Sequence, residues 1–226
     1  MAEIINWPCN AGRVSAEYFL KWTTRSVGVS LAGHEQIVAP NAAVWEVTIT
    51  FSGMPLDPDL RQFEARVSRM RGRFNVANLC LCGPGSYDGD YSPTQTPFSD
   101  GTWFADGTGH IDSTAGAAPV VTTAAAAAGA NSITVDLEGP PVIPYMREGH
   151  MFSVNGFLYR VVWTSEAGAM GIEPPLREAI PSGTTLQTDP PHFYGRFASD
   201  NEGRAVREWL RWSDPVTIKF IEAFDR

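Results

Sequence analysis

A mainly β chain carrying a single flanking helix is what three features of the sequence predict. AVWEVTITF at 43–51 alternates strictly between apolar and polar residues, and HMFSVNGFLYRVVWT at 150–164 sets Asn-Gly between two β runs. The stretch GMPLDPDLRQFEARVSRMRGR is the segment with a clear helical period.

In AVWEVTITF, Trp45, Val47, Ile49 and Phe51 share one face while Glu46, Thr48 and Thr50 share the other, the pattern of a half-buried antiparallel strand. In the helix that follows, Asp57 fits the N-cap, Pro58 the first helical position and Gly72 a left-handed C-terminal cap. Leu60, Phe63, Val67 and Met70 fall on one stripe, and Arg61, Glu64, Arg66, Arg69 and Arg71 cover the rest. RFNVANLCLC then leads out as extended chain. Residues 83–118 are dense in Gly, Pro, Ser, Thr and Asp without a sustained period, which predicts a long ordered loop or a surface arm. TTAAAAAGA, from Thr122 to Ala130, reads as a short helix or a linker, with Gly129 and the threonines weighing against the helix.

A second β section begins with the alternating NSITVDL. Asn155-Gly156 is the strongest short hairpin signal, and it sets Phe152 and Val154 opposite Leu158, or opposite Tyr159 and Val161, according to register. GIEPPLREAIPSGTTLQTDPP is extended, and its double prolines exclude central strands at those points. EGRAVREWLRW fits a strand or a short helix. In DPVTIKFIEAF, Val216, Ile218 and Phe220 alternate with Thr217 and Lys219, as in a terminal strand tied into a sheet.

At 226 residues the chain is long enough to bury a core without external staples. Its 17 Lys+Arg against 25 Asp+Glu give a formal charge of -8, so a surface that tracks phosphates is not its main purpose. Of the three cysteines, Cys80 and Cys82 are spaced too tightly for a zinc knuckle and read as small buried hydrophobes on one strand face. An odd count with no framework argues against a disulfide-built secreted domain. MAEIINWPCN has no basic stretch followed by an apolar core, and no run approaches the ~20 apolar residues of a membrane span. These features lead to the expectation of a soluble product made in a reducing compartment, without membrane insertion.

No catalytic or metal-binding constellation rises from the motifs. Asp100, Asp106 and Asp112 in DGTWFADGTGHID do not have the alternate spacing of a calcium loop. His34, His110, His150 and His192 are scattered, and no nucleophile elbow, Walker loop or strand-linked dinucleotide fingerprint occurs. The expectation is a non-enzyme without metal or cofactor. What remains is an aromatic-rich polar loop whose Tyr91, Phe98, Trp103 and Phe104 suit contact with another protein, or alternatively with the ring of a sugar.

The order of segments carries a resemblance. RMRGRFNVANLCLCGPG, AAAAGANSITVD, REGHMFSVNGFLYRVV, GIEPPLREAIPSGTTLQTDPP and a closing IKFIEAF resemble the distal tail and minor tail proteins of long-tailed, siphovirus-like bacteriophages, from about Val44 to Phe224. Gly149-His150 stands where such segments usually carry Gly-Asp. The resemblance implies a ring-forming belt domain with a tail-tube-like β-sandwich and one helix, assigned to 1–118 and 193–226 with a long loop at 83–118. It also implies a small β-barrel or sandwich, inserted or appended, at 119–192. By resemblance, six copies close head to tail into a hexameric ring in the virion's baseplate or tail tip, after synthesis in the host bacterial cytoplasm. The neighbours implied are the tail tube protein, the hub and other tail-tip proteins, with DNA passing only transiently through the lumen. Glu46, Thr48 and Thr50, opposite the apolar face, are the residues expected at a lumen or interface, where carboxylates would repel the genome. The alternatives are another minor component of the same tip, or a carbohydrate-binding β module that recognises host surface glycan. The contact-loop reading predicts that Trp103→Ala weakens assembly and leaves thermal unfolding unchanged. An unaltered assembly yield would remove the loop from the interface.

Overall fold

The computed structural model describes residues 2–7, 13–38, 42–52, 59–81, 95–96, 102, 110–111, 120–136, 146, 148–165, 167–188, 190–204 and 214–225. The elements run β1 (Ile4–Trp7), β2 (Arg13–Trp22), β3 (Arg25–Val29), β4 (Glu35–Val38), β5 (Ala43–Phe51), α1 (Asp59–Met70) and β6 (Val76–Cys80). They continue as β7 (Gln95–Thr96), β8 (His110–Ile111), β9 (Val120–Val121), β10 (Ser132–Thr134), β11 (Met151–Val154), β12 (Phe157–Thr164), β13 (Ala169–Glu173), β14 (Thr185–Leu186), β15 (His192–Phe197) and β16 (Val216–Glu222). Among the described residues the fold is mainly β with one helix, the class that the alternating segments predict. Unit 1 comprises Met1–Cys82, Asn155–Leu158 and His192–Arg226, and unit 2 comprises Gly83–Val154 and Tyr159–Pro191.

Unit 1 is built on a six-stranded sheet of order β1-β6-β15-β16-β5-β2, in which only β1 and β6 are parallel neighbours. On β5, Trp45, Val47, Ile49 and Phe51 are each 0 % exposed, as the alternation requires. Burial of side chains this size stabilises by about 1.5–3 kcal/mol each, so a one-residue slip that brought Glu46 inward is strongly disfavoured. The helix lays Leu60, Phe63 and Met70 against this core, with Phe63 5.2 Å from Phe51 and 5.8 Å from Trp7, ring centre to ring centre. Trp7 also meets Phe197 and Phe220 edge-on, so aromatic rings fill the space between helix and sheet.

Asn75 fastens the helix end to the sheet edge. Buried behind α1, it accepts from the Glu3 amide at 2.9 Å and donates through Nδ2 to the Arg69 carbonyl at 2.7 Å. The helix closes through two left-handed residues, Arg71 at φ 49° and Gly72 at φ 62°, so the cap begins one residue before the glycine that sequence singles out. Asp57 and Pro58, the expected start, lie outside the described residues. Cys80 is buried as expected, but it is disulfide-bonded and not a free thiol; its partner lies outside the described residues.

In unit 1 the strands β2 to β5 make one long antiparallel ribbon. Its base is the β2–β5 ladder from Arg13↔Phe51 to Trp22↔Ala43, and it continues as β3–β4 from Arg25↔Val38 to Val29↔Glu35. The tip is a turn in which the Ser30 amide donates to the His34 carbonyl at 2.8 Å. Beyond Trp22 the described ribbon residues are exposed, Leu31, Val29, Ile37 and Val38 among them.

Unit 2 contains a four-stranded sheet of order β10-β13-β12-β11, whose strand β12 begins in unit 1. Asn155 (φ 48°) and Gly156 (φ 69°) make the left-handed turn between β11 and β12, as the Asn-Gly signal predicts. The register places Phe152 against Tyr159, stacked at 5.5 Å, which selects one of the two pairings left open by the sequence. The Ala-rich segment is neither a helix nor a linker. Thr122 bridges Val135 and Ala126 bridges Ile180, and Thr122, buried, donates through its hydroxyl to the Pro181 carbonyl at 3.0 Å. Chain with short side chains can lie flat and pair at single points, and here that outweighs alanine's helix propensity. Among the described residues no helix is long and apolar enough to cross a membrane.

Candidate functional site

The side of the unit 1 sheet away from α1 carries the polar residues of all six strands. From β5 it takes Glu46, Thr48 and Thr50, which the register sets beside Ile221, Lys219 and Thr217 of β16 and beside Phe19, Glu17 and Ser15 of β2. Glu46 is the centre of its charge pattern. Its Oε1 lies 2.8 Å from Lys21 Nζ and its Oε2 2.5 Å from Lys219 Nζ, joining three strands through one carboxylate. Hydrogen bonds from Lys21, then from Lys219, hold the Glu46 carboxyl below the ordinary carboxylate range, although burial opposes them. Beside it, Thr50 Oγ1 and Thr217 Oγ1 share a hydrogen bond of 3.1 Å.

Toward β1 the face continues in neutral polar groups. Asn78 Nδ2 donates to Asn6 Oδ1 at 2.9 Å, and His192 Nδ1 sits 2.9 Å from Asn78 Oδ1. With Asn78 Oδ1 as acceptor, His192 is protonated on Nδ1, and burial pushes its pKa below the ordinary histidine value. At the far end of β15, Arg196 pairs with Asp225 at 3.0 Å. The surface is rich in amides and hydroxyls, and its two glutamates on β2 and β5 face two lysines.

Behind this face, Trp45 is anchored at both of its nitrogens. Its backbone N–H donates to the buried Glu222 carboxylate at 3.1 Å, and its indole Nε1–H to the Leu158 carbonyl at 2.8 Å. The face therefore rests on a core whose central tryptophan is held by directional bonds as well as by packing.

Of the residues singled out by sequence, Glu46, Thr48 and Thr50 lie together on this face. Tyr91, Phe98, Trp103 and Phe104, with the aspartates of their loop and residues 205–212 of the ambiguous EGRAVREWLRW segment, lie outside the described residues. Sequence reading missed the exposed apolar side chains of the ribbon: Val14, Phe19 and Trp22 near its base, and Val29, Leu31, Ile37 and Val38 toward its tip. A signal existed, a β-rich run of valines and aromatics before residue 43, but it lacks the alternation that marks a half-buried strand. Among the described residues no three of His, Cys, Asp and Glu gather as metal ligands.

One titrating group in unit 2 gives a pH test. Glu173 Oε2 is buried without a hydrogen-bond partner, and burial raises the Glu173 pKa above its ordinary 4.5. Folding thus favours the protonated form, and the stability present below the unfolded pKa is lost as pH rises through the folded one. Glu173→Gln is therefore expected to unfold at a higher temperature than the wild type at pH 7, with the difference closing as pH falls below about 4.5. A variant less stable than the wild type at pH 7 would place the carboxylate in a favourable interaction instead.

The sequence matches no protein-family model and has no significant match among curated proteins.

Proposed function

We propose that this chain is a non-enzymatic structural component of a bacteriophage tail tip, a distal tail protein whose copies close into a ring between the tail tube and the hub. The observation that carries the reading is the β2–β5 ribbon, an arm with Val29, Leu31, Ile37 and Val38 exposed beyond the sheet. Val29, Ile37 and Val38 on the strands and Leu31 in the turn, all exposed among the described residues, suit a neighbouring copy, because an exposed patch of this kind in a lone molecule invites association. Among the described residues the sheet ends in two edges of different length, β1 and β2, a head and a tail for heterologous contacts that close into a ring.

The polar face supports the second half of the reading, passage of DNA. Lys21 and Lys219 are engaged by Glu46, so neither is a free clamp for phosphate, and the threonines and asparagines beside them are neutral. Such a lining neither grips nor strongly repels a duplex, and the overall charge of -8 opposes retention. The partners in this reading are other copies of the chain, the tail tube protein and the hub proteins of the tip, with the virion as the final location. Co-purification of the tagged chain with tube and hub proteins from a lysate of phage-producing cells is the test, and recovery of the chain without any virion protein would count against it.

A further inference from the structure

Unit 1 carries a covalent feature that the ring reading does not use, the disulfide at Cys80. Cys80 closes β6 and is 2 % exposed. It stands where the two edges of the sheet approach each other. β1 and β2 follow one another in the chain but take opposite edges of the six-stranded sheet, and among the described residues no ladder joins them. A flat sheet would hold β2 four strand spacings from β6, roughly 19 Å. Arg13 of β2 nevertheless donates through Nη1 to the Cys80 carbonyl, a span that no arginine side chain covers across a flat sheet. The sheet therefore curls until β2 comes back toward β6, and Cys80 sits at the seam.

The chain has two other cysteines, Cys9 and Cys82, both outside the described residues. In the sequence, Cys9 falls between two residues that are fixed beside Cys80. Trp7 is in register with Leu79, the residue before Cys80, and Arg13 is bonded to the Cys80 carbonyl. Two residues of chain span no more than about 7 Å, so Cys9 is within reach of Cys80 from Trp7. Cys82 is the poorer partner. In extended chain, residues two apart stand about 6.6 Å from Cα to Cα, at the outer limit of about 6.8 Å for a disulfide. Neighbouring strands, at about 4.8 Å, fall well inside that limit.

We propose that Cys9 is the partner of Cys80 and that their bond is an oxidative staple on the seam, made after the chain has folded with its cysteines as thiols. Synthesis in a reducing compartment, as the sequence leads one to expect, keeps such a pair reduced until the protein is released. The step is a thiol–disulfide exchange. One cysteine thiolate attacks a small-molecule disulfide, such as oxidised glutathione, and displaces a glutathione thiolate; the second cysteine then displaces the other. The protein gives up two electrons and two protons, and the glutathione disulfide takes them up as two thiols. The gain falls on β1, a four-residue edge strand of the kind that opens first. A bond between points so far apart in sequence removes much freedom from the unfolded chain, and it ties β1 to β6 in the folded one.

The test uses the full chain, produced in bacterial cytoplasm and quenched with N-ethylmaleimide before or after treatment with oxidised glutathione. Trypsin leaves Cys9 in residues 1–13 and both Cys80 and Cys82 in residues 74–147, so mass spectrometry separates the two pairings. Three thiols are expected before oxidation, and a bond joining the two peptides after it. The oxidised form is expected to melt higher than the thiol form, by on the order of 10 °C. Cys9→Ser should erase that difference and Cys82→Ser should keep it, and neither variant touches the buried Cys80 itself. A bond confined to residues 74–147, equal melting temperatures for the two forms, or a bond already present in the quenched cells overturns the proposal. These readings come from the single chain, so their failure leaves the tail-tip reading standing, and a chain that forms no ring leaves the staple standing.

Discussion

Leu60→Asp is expected to destabilise unit 1 by at least about 3 kcal/mol, with a fall in melting temperature on the order of 10 °C. Leu60 is 1 % exposed at the start of α1, on the stripe that continues through Phe63 to Met70. An aspartate there must either be buried without a partner or lift the helix from the sheet. Lifting it would expose Phe63 and open the aromatic cluster formed with Trp7 and Phe51. The control is Gln62→Asp, on the exposed side of the same helix, expected to change stability by no more than about 0.5 kcal/mol. Equal unfolding curves for the two variants would show that the helix does not dock through this stripe.

The second large effect concerns assembly and should leave the monomer's stability alone. Leu31→Asp combined with Ile37→Asp places two carboxylates on the arm, at residues that are exposed in the single chain. Folding therefore has nothing to lose. An interface that buries these side chains would have to bury the charges too, at a cost of about 2 kcal/mol or more for each. In a closed ring the penalty recurs at every contact, so the double variant is expected to remain monomeric under conditions where the wild type associates. The measurement is light scattering with a thermal melt of both proteins. Association unchanged by the two charges would remove the arm from the interface, and a lowered melting temperature would show that it packs within its own chain.

The legible parts of the fold were those where one face of an element is buried and the other is wet. On β5 the alternation of Trp45, Glu46, Val47 and Thr48 is a direct record of that condition, and so is β16. β2 gave no such record, because RVSAEYFLKW is an edge strand with Val14, Phe19 and Trp22 all exposed, and its apolar residues do not keep to one side. β15 escaped notice for a different reason. HFYGRF has Gly195 at a core-facing position, where a Cβ would stand 2.5 Å from the Phe193 ring, so the place that needs a glycine loses its apolar mark.

The candidate sites show the same division. Glu46, Thr48 and Thr50 share a face by strand period alone, but their charge environment depends on Lys21 and Lys219, which come from strands 25 residues before and 173 residues after Glu46. No local pattern could reveal that balance. The loop at 91–104 stands out in the sequence by its aromatic residues, whereas the ribbon carries aliphatic residues without a period.

The most direct test of the ring reading is the mass of the full chain in solution across a range of concentration, with negative-stain images of the largest species. The account predicts a discrete assembly of six copies that images as a closed ring and is lost in the Leu31→Asp, Ile37→Asp variant. A strict monomer at the highest soluble concentration would contradict it.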